Sequence, residues 1–366
     1  MRVTAQIDAG ALAHNLALAR RTAPGSRVLA VVKADAYGHG LPDAARALAG
    51  ADGFAVACVE EAAELRESGV AAPVLVLEGA AGGAELRVAR RYGFELVVHA
   101  SWQLDLLERD GGRGLGRLWV KFDTGMHRLG FAPDQARTVR ARCDAAGIAE
   151  PGLMSHLACA DEPASPETAR QLEVFGGLRS YFKGPASLAN SAGVLAHPDT
   201  HLDCVRPGLM LYGVSPFPGR GAAELGLRPA MTLTARVLAV QSAAAGDGVG
   251  YGFDWRAPRD SRIAIVSVGY GDGYPWRAAP GAQAVIRGRR APLAGRVSMD
   301  MLGVDVTDLP DVGPGDAVTL WGAGLPVEEV ARAAGTSPYE IVCSVTRRVP
   351  RQVCALAGGE ITEAKG

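Results

Sequence analysis

The chain lacks an excess of charge of either sign. Its 38 Lys and Arg against 39 Asp and Glu give a formal net charge of −1 over 366 residues. The charges are dispersed rather than run together, so there is no electrostatic footprint for nucleic acid or for an anionic membrane. Long apolar runs are lacking too: nowhere do about 18 apolar residues follow one another, the length a spanning helix requires. The opening MRVTAQIDAG has no basic patch leading into an apolar stretch, so no secretory leader is expected. Six cysteines, Cys58, Cys143, Cys159, Cys204, Cys343 and Cys354, form no CxxC pair and stand at no metal-ligand spacing with a His, which argues against a zinc site and against a disulfide scaffold. These absences point to a cytoplasmic, soluble protein with reduced thiols, no metal, no nucleic-acid or membrane partner, and a small molecule as its ligand.

What is present is apolar sequence in short, ordered pieces. Hydrophobic residues make up 48 % of the chain, ample for a large core and for two domains. Over the first 210 or so positions, eight β-type runs recur: VLAVV (from Val28), FAVAC (Phe54), VLVL (Val74), ELVV (Glu95), RLWVKF (Arg117), GLMSHL (Gly152), ASLAN (Ala186) and LDCVR (Leu202). Helical patterns lie between them, such as VEEAAELRESG ending at Gly69 and PDQARTVRARCDAAG from Pro133 to Gly147. Strand and helix in alternation predict a parallel sheet, and eight units predict a (β/α)8 barrel. After about Leu225 the texture changes to MTLTARVLAV, RIAIVSVGY, AVIRG, MLGVDV and DAVTLWG, broken by Gly and Pro turns, with one helical stretch, VEEVARAAG. This predicts a mainly-β domain over 226–366 beside a barrel over 10–225, with residues 1–9 supplying a strand to the β domain.

A barrel gathers its chemistry at the C-terminal ends of its strands. Lys33 follows the first run directly, an odd place for a solvated charge. Burial there would lower its amine pKa, as a Schiff-base nucleophile requires, although a snorkelling rim lysine is the alternative. Ser191 and Gly193 after the seventh run, and Gly208 after the eighth, suit a phosphate through exposed backbone N–H groups, or are ordinary glycine turns. Arg206, before Pro207-Gly208, can meet an anion or a ring nitrogen, or form a structural ion pair.

Taken together, AVVKADAYGHG (from Ala30), KFDTGMHRLG (Lys121), SHLACADE (Ser155), ANSAG (Ala189), VRPGLMLYG (Val205), SVGYGDGY (Ser267), AGRVSMD (Ala294) and RRVPR (Arg347) resemble the alanine racemase family nearly end to end and in the right order. The resemblance implies a pyridoxal 5′-phosphate enzyme that interconverts L- and D-alanine by a two-base mechanism and supplies D-alanine for peptidoglycan. Lys33 would carry the cofactor and act as one acid/base; Tyr37, Ser191, Gly208 and Leu209 would hold the phosphate. Arg206 would face the pyridine nitrogen, with His156 behind it. An arginine does not readily give up a proton, so the nitrogen stays unprotonated and the cofactor withdraws electrons less strongly. Arg128 would bind the substrate carboxylate, and Lys121 stands where the family often carries a carbamylated lysine; a plain strand lysine is the alternative.

Racemisation takes a proton from one face and returns it to the other, so a second base is needed. The resemblance assigns it to Tyr270, contributed with Met299 by the partner subunit of a homodimer. Tyrosine is a poor base at its ordinary pKa of about 10, so the site must assist it. Two departures stand out. Arg347 occupies the place before RVPR where many members have a Tyr against the phosphate, so a changed cofactor affinity or pocket is expected; Gly250 replaces a frequent Ser. A basic amino-acid decarboxylase, a catalytically inert cofactor carrier and a serine or broad-specificity racemase are the competing readings. Arg206 with Tyr270 opposes the first and the β domain opposes the second, while the third turns on pocket width.

Overall fold

A computed structural model of the chain describes residues 2–110, 114–278 and 281–354. Residue 1 of the expected N-terminal strand, 111–113 of the expected barrel segment, and 279–280 and 355–366 of the expected β segment lie outside the described residues. Eight parallel strands close into a barrel: Arg27–Val31, Gly53–Val56, Val74–Val76, Glu95–Val98, Leu118–Lys121, Gly152–Met154, Ala186–Ser187 and Cys204–Val205. Closure is made where Arg27 and Val28 pair with Cys204 and Val205. These strands are mostly apolar because both faces are covered, by barrel interior and by helices. One contact shows how tightly the interior fills. The Trp119 indole lies across Gly152, where a Cβ would come within 2.4 Å of its ring, and its N–H donates to Glu95 Oε2 at 2.7 Å.

The second body is an eight-stranded sheet, in the order Ser261–Val266, Leu302–Asp305, Arg289–Ala294, Gln283–Ile286, Ala317–Trp321, Met231–Ala243, Val3–Asp8, Arg351–Cys354. The N-terminal strand does join it, antiparallel to Met231–Ala243 and parallel to Arg351–Cys354. Met231–Ala243 is long enough to turn the sheet. Its first half pairs with Val3–Asp8 and Ala317–Trp321, and beyond a bulge between Val237 and Ala239 its second half pairs with Ser261–Val266, as an extra residue that bends and twists a strand allows. The helix Ala9–Thr22 then leads into the barrel, capped by Asp8, which accepts from Ala11 N at 2.9 Å.

The helix expected at VEEVARAAG is Val327–Ala334, ended by Gly335 at φ +64°. A second helix, Pro338–Cys343, was not expected. It starts at Ser337, whose side chain accepts from Tyr339 N, and Pro338 fills a first-turn position where no N–H is needed. This helix presses the β-rich half of the chain onto the barrel mouth: a Cβ on Gly38 would stand 2.1 Å from Val342 O. Among the described residues no helix is long and apolar enough to cross a membrane, and no group of His, Cys, Asp and Glu is arranged to hold a metal.

Candidate active site

The segment after the first strand is a left-handed turn. Ala34, Asp35, Ala36 and Tyr37 have φ of 55°, 53°, 51° and 53°, and Gly38 follows at 77°. For L-residues this conformation costs about 1–2 kcal/mol each, so the surroundings must enforce it. Several groups do. Glu61 accepts from Ala34 N at 2.7 Å and from Ala57 N at 2.8 Å; Asp35 Oδ1 accepts from Leu41 N at 2.7 Å; Arg351 donates to Gly38 O at 3.1 Å and pairs with Asp35 at 3.5 Å. Lys33 opens the turn and is half-buried, a correction to the burial that its apolar run suggests: the strand ends at Val31 and the turn swings the lysine to the cavity wall.

A cavity of about 490 Å³ occupies the barrel mouth, the size of a small-molecule site. Its walls include Lys33, Tyr37, Lys121, Arg128, His156, Ser191, Arg206, Gly208 and Leu209, nine of the ten barrel positions the sequence pointed to; the tenth, Gly193, does not line it and gives its N–H to Asn190 Oδ1 at 3.0 Å. The phosphate-type end is tightly built. Ser191 Oγ accepts from Gly208 N at 2.9 Å and from Met210 N at 3.2 Å, tying the ends of strands seven and eight together. A Cβ on Gly208 would lie 2.5 Å from the Tyr37 hydroxyl, so glycine is required there by a close approach. Tyr37 in turn stacks on Tyr212 at 4.7 Å, whose hydroxyl donates to Val31 O at 2.9 Å.

Beside this cradle the cavity is cationic. Arg206 is buried and donates to Ser187 Oγ at 2.5 Å and to Ser155 O at 2.6 Å, with His156 Nδ1 at 3.4 Å. Burial, with Arg128 nearby, pushes its pKa down to about 10. Burial also holds His156 well below the ordinary imidazole range, helped by Arg206 and Arg128, so its Nδ1 is free to accept. Lys121 is buried, and burial together with Arg206, Arg128 and Lys33 lowers its amine to about 8. Arg128 is presented by a loop wound around Asp123, whose Oδ1 accepts from the amides of Gly125, Met126 and His127 at 2.9 to 3.0 Å. A buried guanidinium facing the cavity, a cationic anchor and a glycine-and-hydroxyl cradle fit a phosphorylated pyridine and an amino-acid carboxylate.

Tyr270 and Met299 are not in this cavity. Tyr270 is 43 % exposed and Met299 53 % exposed, on neighbouring segments of the β-rich half joined by a Tyr270 N to Ser298 O bond of 3.1 Å. Tyr251, Phe253, Trp276 and Met301 are also exposed on that half. Arg296 links three of the segments, stacking at 5.9 Å over Trp276 and pairing with Asp254 beside the Tyr251–Phe253 turn.

The segment after the barrel contributes two wall residues that were not expected, while Arg347 contributes none. Tyr339 and Cys343 line the cavity from the helix Pro338–Cys343, with the Tyr339 ring 6.0 Å from Tyr37. Arg347 is exposed and does not line it. The expected change of pocket at Arg347 is therefore corrected: a tyrosine does approach this wall, from eight positions earlier, and the signal for it was the Ser-Pro helix start before PYEIVC. Gly250 has a backbone reason, since its φ is +75°, where a serine would be strained.

Comparison with known proteins agrees with this geometry. Residues 7–216 match the family described as alanine racemase, N-terminal domain, and residues 230–353 the alanine racemase, C-terminal domain. The chain is 53 % identical over 351 residues to an alanine racemase of Thioalkalivibrio sulfidiphilus, covering 94 % of this chain and 97 % of that one. It superposes on the crystal structure of a biosynthetic alanine racemase from Pseudomonas aeruginosa with a TM-score of 0.94 at 49 % identity, covering 97 % and 99 % of the two chains. An alanine racemase from Bartonella henselae, solved with covalently bound pyridoxal phosphate, matches at a TM-score of 0.87 and 30 % identity over 97 % of this chain and all of that one.

Proposed function

The chain belongs to the alanine racemase family, and from that premise we propose that it interconverts L- and D-alanine with a homodimer's two shared sites, each built from one subunit's barrel and its partner's β-rich half. The observation that carries the reading is the convergence, in one cavity, of an attachable lysine, a phosphate cradle and a cationic anchor, while the expected second base is exposed and does not line it. Bound in the cavity, pyridoxal 5′-phosphate supplies the electron withdrawal that acidifies the α-hydrogen of an amino acid.

The chain's own residues divide the remaining work. Lys33 is the point of attachment and holds or releases a proton on one face. Ser191, Gly208, Leu209 and Tyr37 seat the phosphate. Arg206 donates toward the ring nitrogen and keeps it unprotonated, and neutral His156 accepts from Arg206 and fixes its plane. Arg128 holds the substrate carboxylate. Lys121, with its amine lowered to about 8, has the neutral fraction that addition of carbon dioxide requires; the carbamate would place a negative charge beside Arg128. Tyr270 of the second subunit serves the opposite face, with Met299 bordering the substrate. The exposed aromatic and Met side chains on the same half of the chain as Tyr270 support its burial against a second copy. Six unpaired cysteines support a reducing, cytoplasmic setting, in which D-alanine is made for peptidoglycan.

The test is direct. Purified protein should be yellow, lose that colour on borohydride reduction with added mass on the Lys33 peptide, and convert L-alanine to D-alanine faster than it acts on serine, lysine or arginine. Preference for serine, or mass on another lysine, would overturn the assignment.

A further inference from the structure

We propose that Asp272 is a positioning residue for Tyr270: a buried carboxylate, gripped by Arg2 and Arg348, fixes the turn from which Tyr270 reaches out. The inference rests on the reading of Tyr270 as second base. The Asp272 side chain is fully buried, yet it touches nothing in the barrel cavity. Its Oδ1 meets Arg2 Nη2 at 2.5 Å and Arg348 Nε at 3.0 Å, and its Oδ2 accepts from Gly269 N at 3.0 Å. Both arginines go on to Asp300, one residue after Met299: Arg2 donates to its carbonyl at 2.9 Å and Arg348 to its carboxylate at 2.6 Å. Two carboxylates and two guanidinia thus join the chain's second residue, the 269–274 turn, the 298–300 segment and the RRVPR segment.

The glycines of GYGDGY are explained by the same assembly. A Cβ on Gly269 would lie 2.2 Å from Ser298 O, one on Gly271 2.7 Å from Arg348 Nη1, and one on Gly273 2.2 Å from Ser344 O, at φ +101°. The backbone of the turn is therefore pressed on three sides, and hydroxyls lock it from outside: Thr346 Oγ1 donates to Gly271 O at 3.0 Å and Ser344 Oγ to Gly273 O at 2.7 Å. Tyr270 is left projecting from a frame with no slack. A buried ion network is weak as a source of stability and better suited to enforcing one geometry. Guanidinium groups, always charged and planar, suit that task.

L- and D-alanine have equal free energy, so kcat/KM must fall equally in both directions in any variant, and the test has to be isotopic. In deuterated water, Asp272→Asn should lose racemisation about 100-fold, the scale of a misplaced catalytic group, while one enantiomer still exchanges its α-hydrogen at the Lys33 face within about threefold of the wild-type rate. Arg348→Ala, at a half-exposed site, should do the same and decides the matter if Asp272→Asn does not fold. In apoprotein labelled with 3-fluorotyrosine, the ¹⁹F line that disappears in Tyr270→Phe should broaden or shift in both variants and stay put in Arg259→Ala. Unchanged racemisation, or equal loss of exchange for both enantiomers, overturns the positioning role. If Tyr270→Phe itself leaves both exchanges intact, the second-base reading falls instead.

Discussion

The barrel mouth and the Tyr270 face solve the same problem, holding a side chain still, by different means. At the mouth, groups are held by burial: Arg206, His156 and Lys121 are deprived of water, and their proton affinities fall as a result. At the Tyr270 face the tyrosine is exposed and its support is buried, with carboxylates paired to guanidinium groups. The difference suits their tasks. A cofactor wall stays put and benefits from low dielectric, whereas a residue proposed to enter another subunit must be rigid before it arrives.

The comparison breaks most completely at Lys33. Lys33→Ala should yield colourless protein and lower racemisation by about 10³-fold or more, read from absorbance and from D-alanine formation. Next in size, Tyr270→Phe should lower racemisation by about 10²-fold or more while one enantiomer keeps exchanging its α-hydrogen with solvent. Mixing the two inactive proteins, with subunit exchange, tests whether the regions serve one site. A mixed dimer has one site with both defects and one with neither, so random exchange should restore about a quarter of wild-type activity. No recovery, with mixed dimers present by mass, would mean that each subunit supplies both bases to itself. A smaller effect is expected at the cradle: Gly208→Val drives a side chain into the Tyr37 hydroxyl and should weaken cofactor affinity about tenfold or more, measured by titrating apoprotein and following absorbance.

The two regions also differ in how far they could be read from sequence. The barrel strands were legible because strands covered on both faces are unbroken apolar runs, and ELVV was bounded to the residue. The strand-end rule then gathered Lys33, Arg206 and Gly208 without a template. The β-rich half was harder. Arg289–Ala294, RRAPLA, is a paired strand that carries Pro292 and leaves three side chains exposed, so neither periodicity nor composition marked it. Arg351–Cys354 is an edge strand held by parallel pairing with the distant Val3–Asp8, which no local pattern reveals. Tyr339 was missed because its six-residue helix is shorter than any periodic signal, and Arg347 was overvalued because a position in a motif does not state which way a side chain faces. The left-handed turn after Lys33 was invisible for another reason: Ala, Asp and Tyr do not choose that conformation, and contacts with distant groups such as Glu61, Arg351 and the helix at Val342 impose it.

The smallest effect separates the regions by pH. His39, at the end of the left-handed turn, is buried, with Nδ1 2.8 Å from Tyr37 O and Nε2 without a partner among the described residues. Burial lowers its pKa to about 4 from an ordinary 6.5. Above pH 6.5 the imidazole is neutral whether the chain is folded or not, and it adds no pH dependence. As pH falls from 6.5 towards 4, the unfolded chain takes up a proton that the native one refuses. Stability then drops by roughly 3 kcal/mol in all, levelling off below the native pKa. His39→Gln should be less stable than wild type at pH 7.5, and the gap should narrow by about 2 kcal/mol at pH 5, read from urea unfolding. Parallel curves would show that His39 titrates alike in both states. The network of Arg2, Asp272, Arg348 and Asp300 contains no imidazole. Mild acid should therefore loosen the cofactor turn, seen as faster amide exchange around Tyr37, before it disturbs the turn that carries Tyr270.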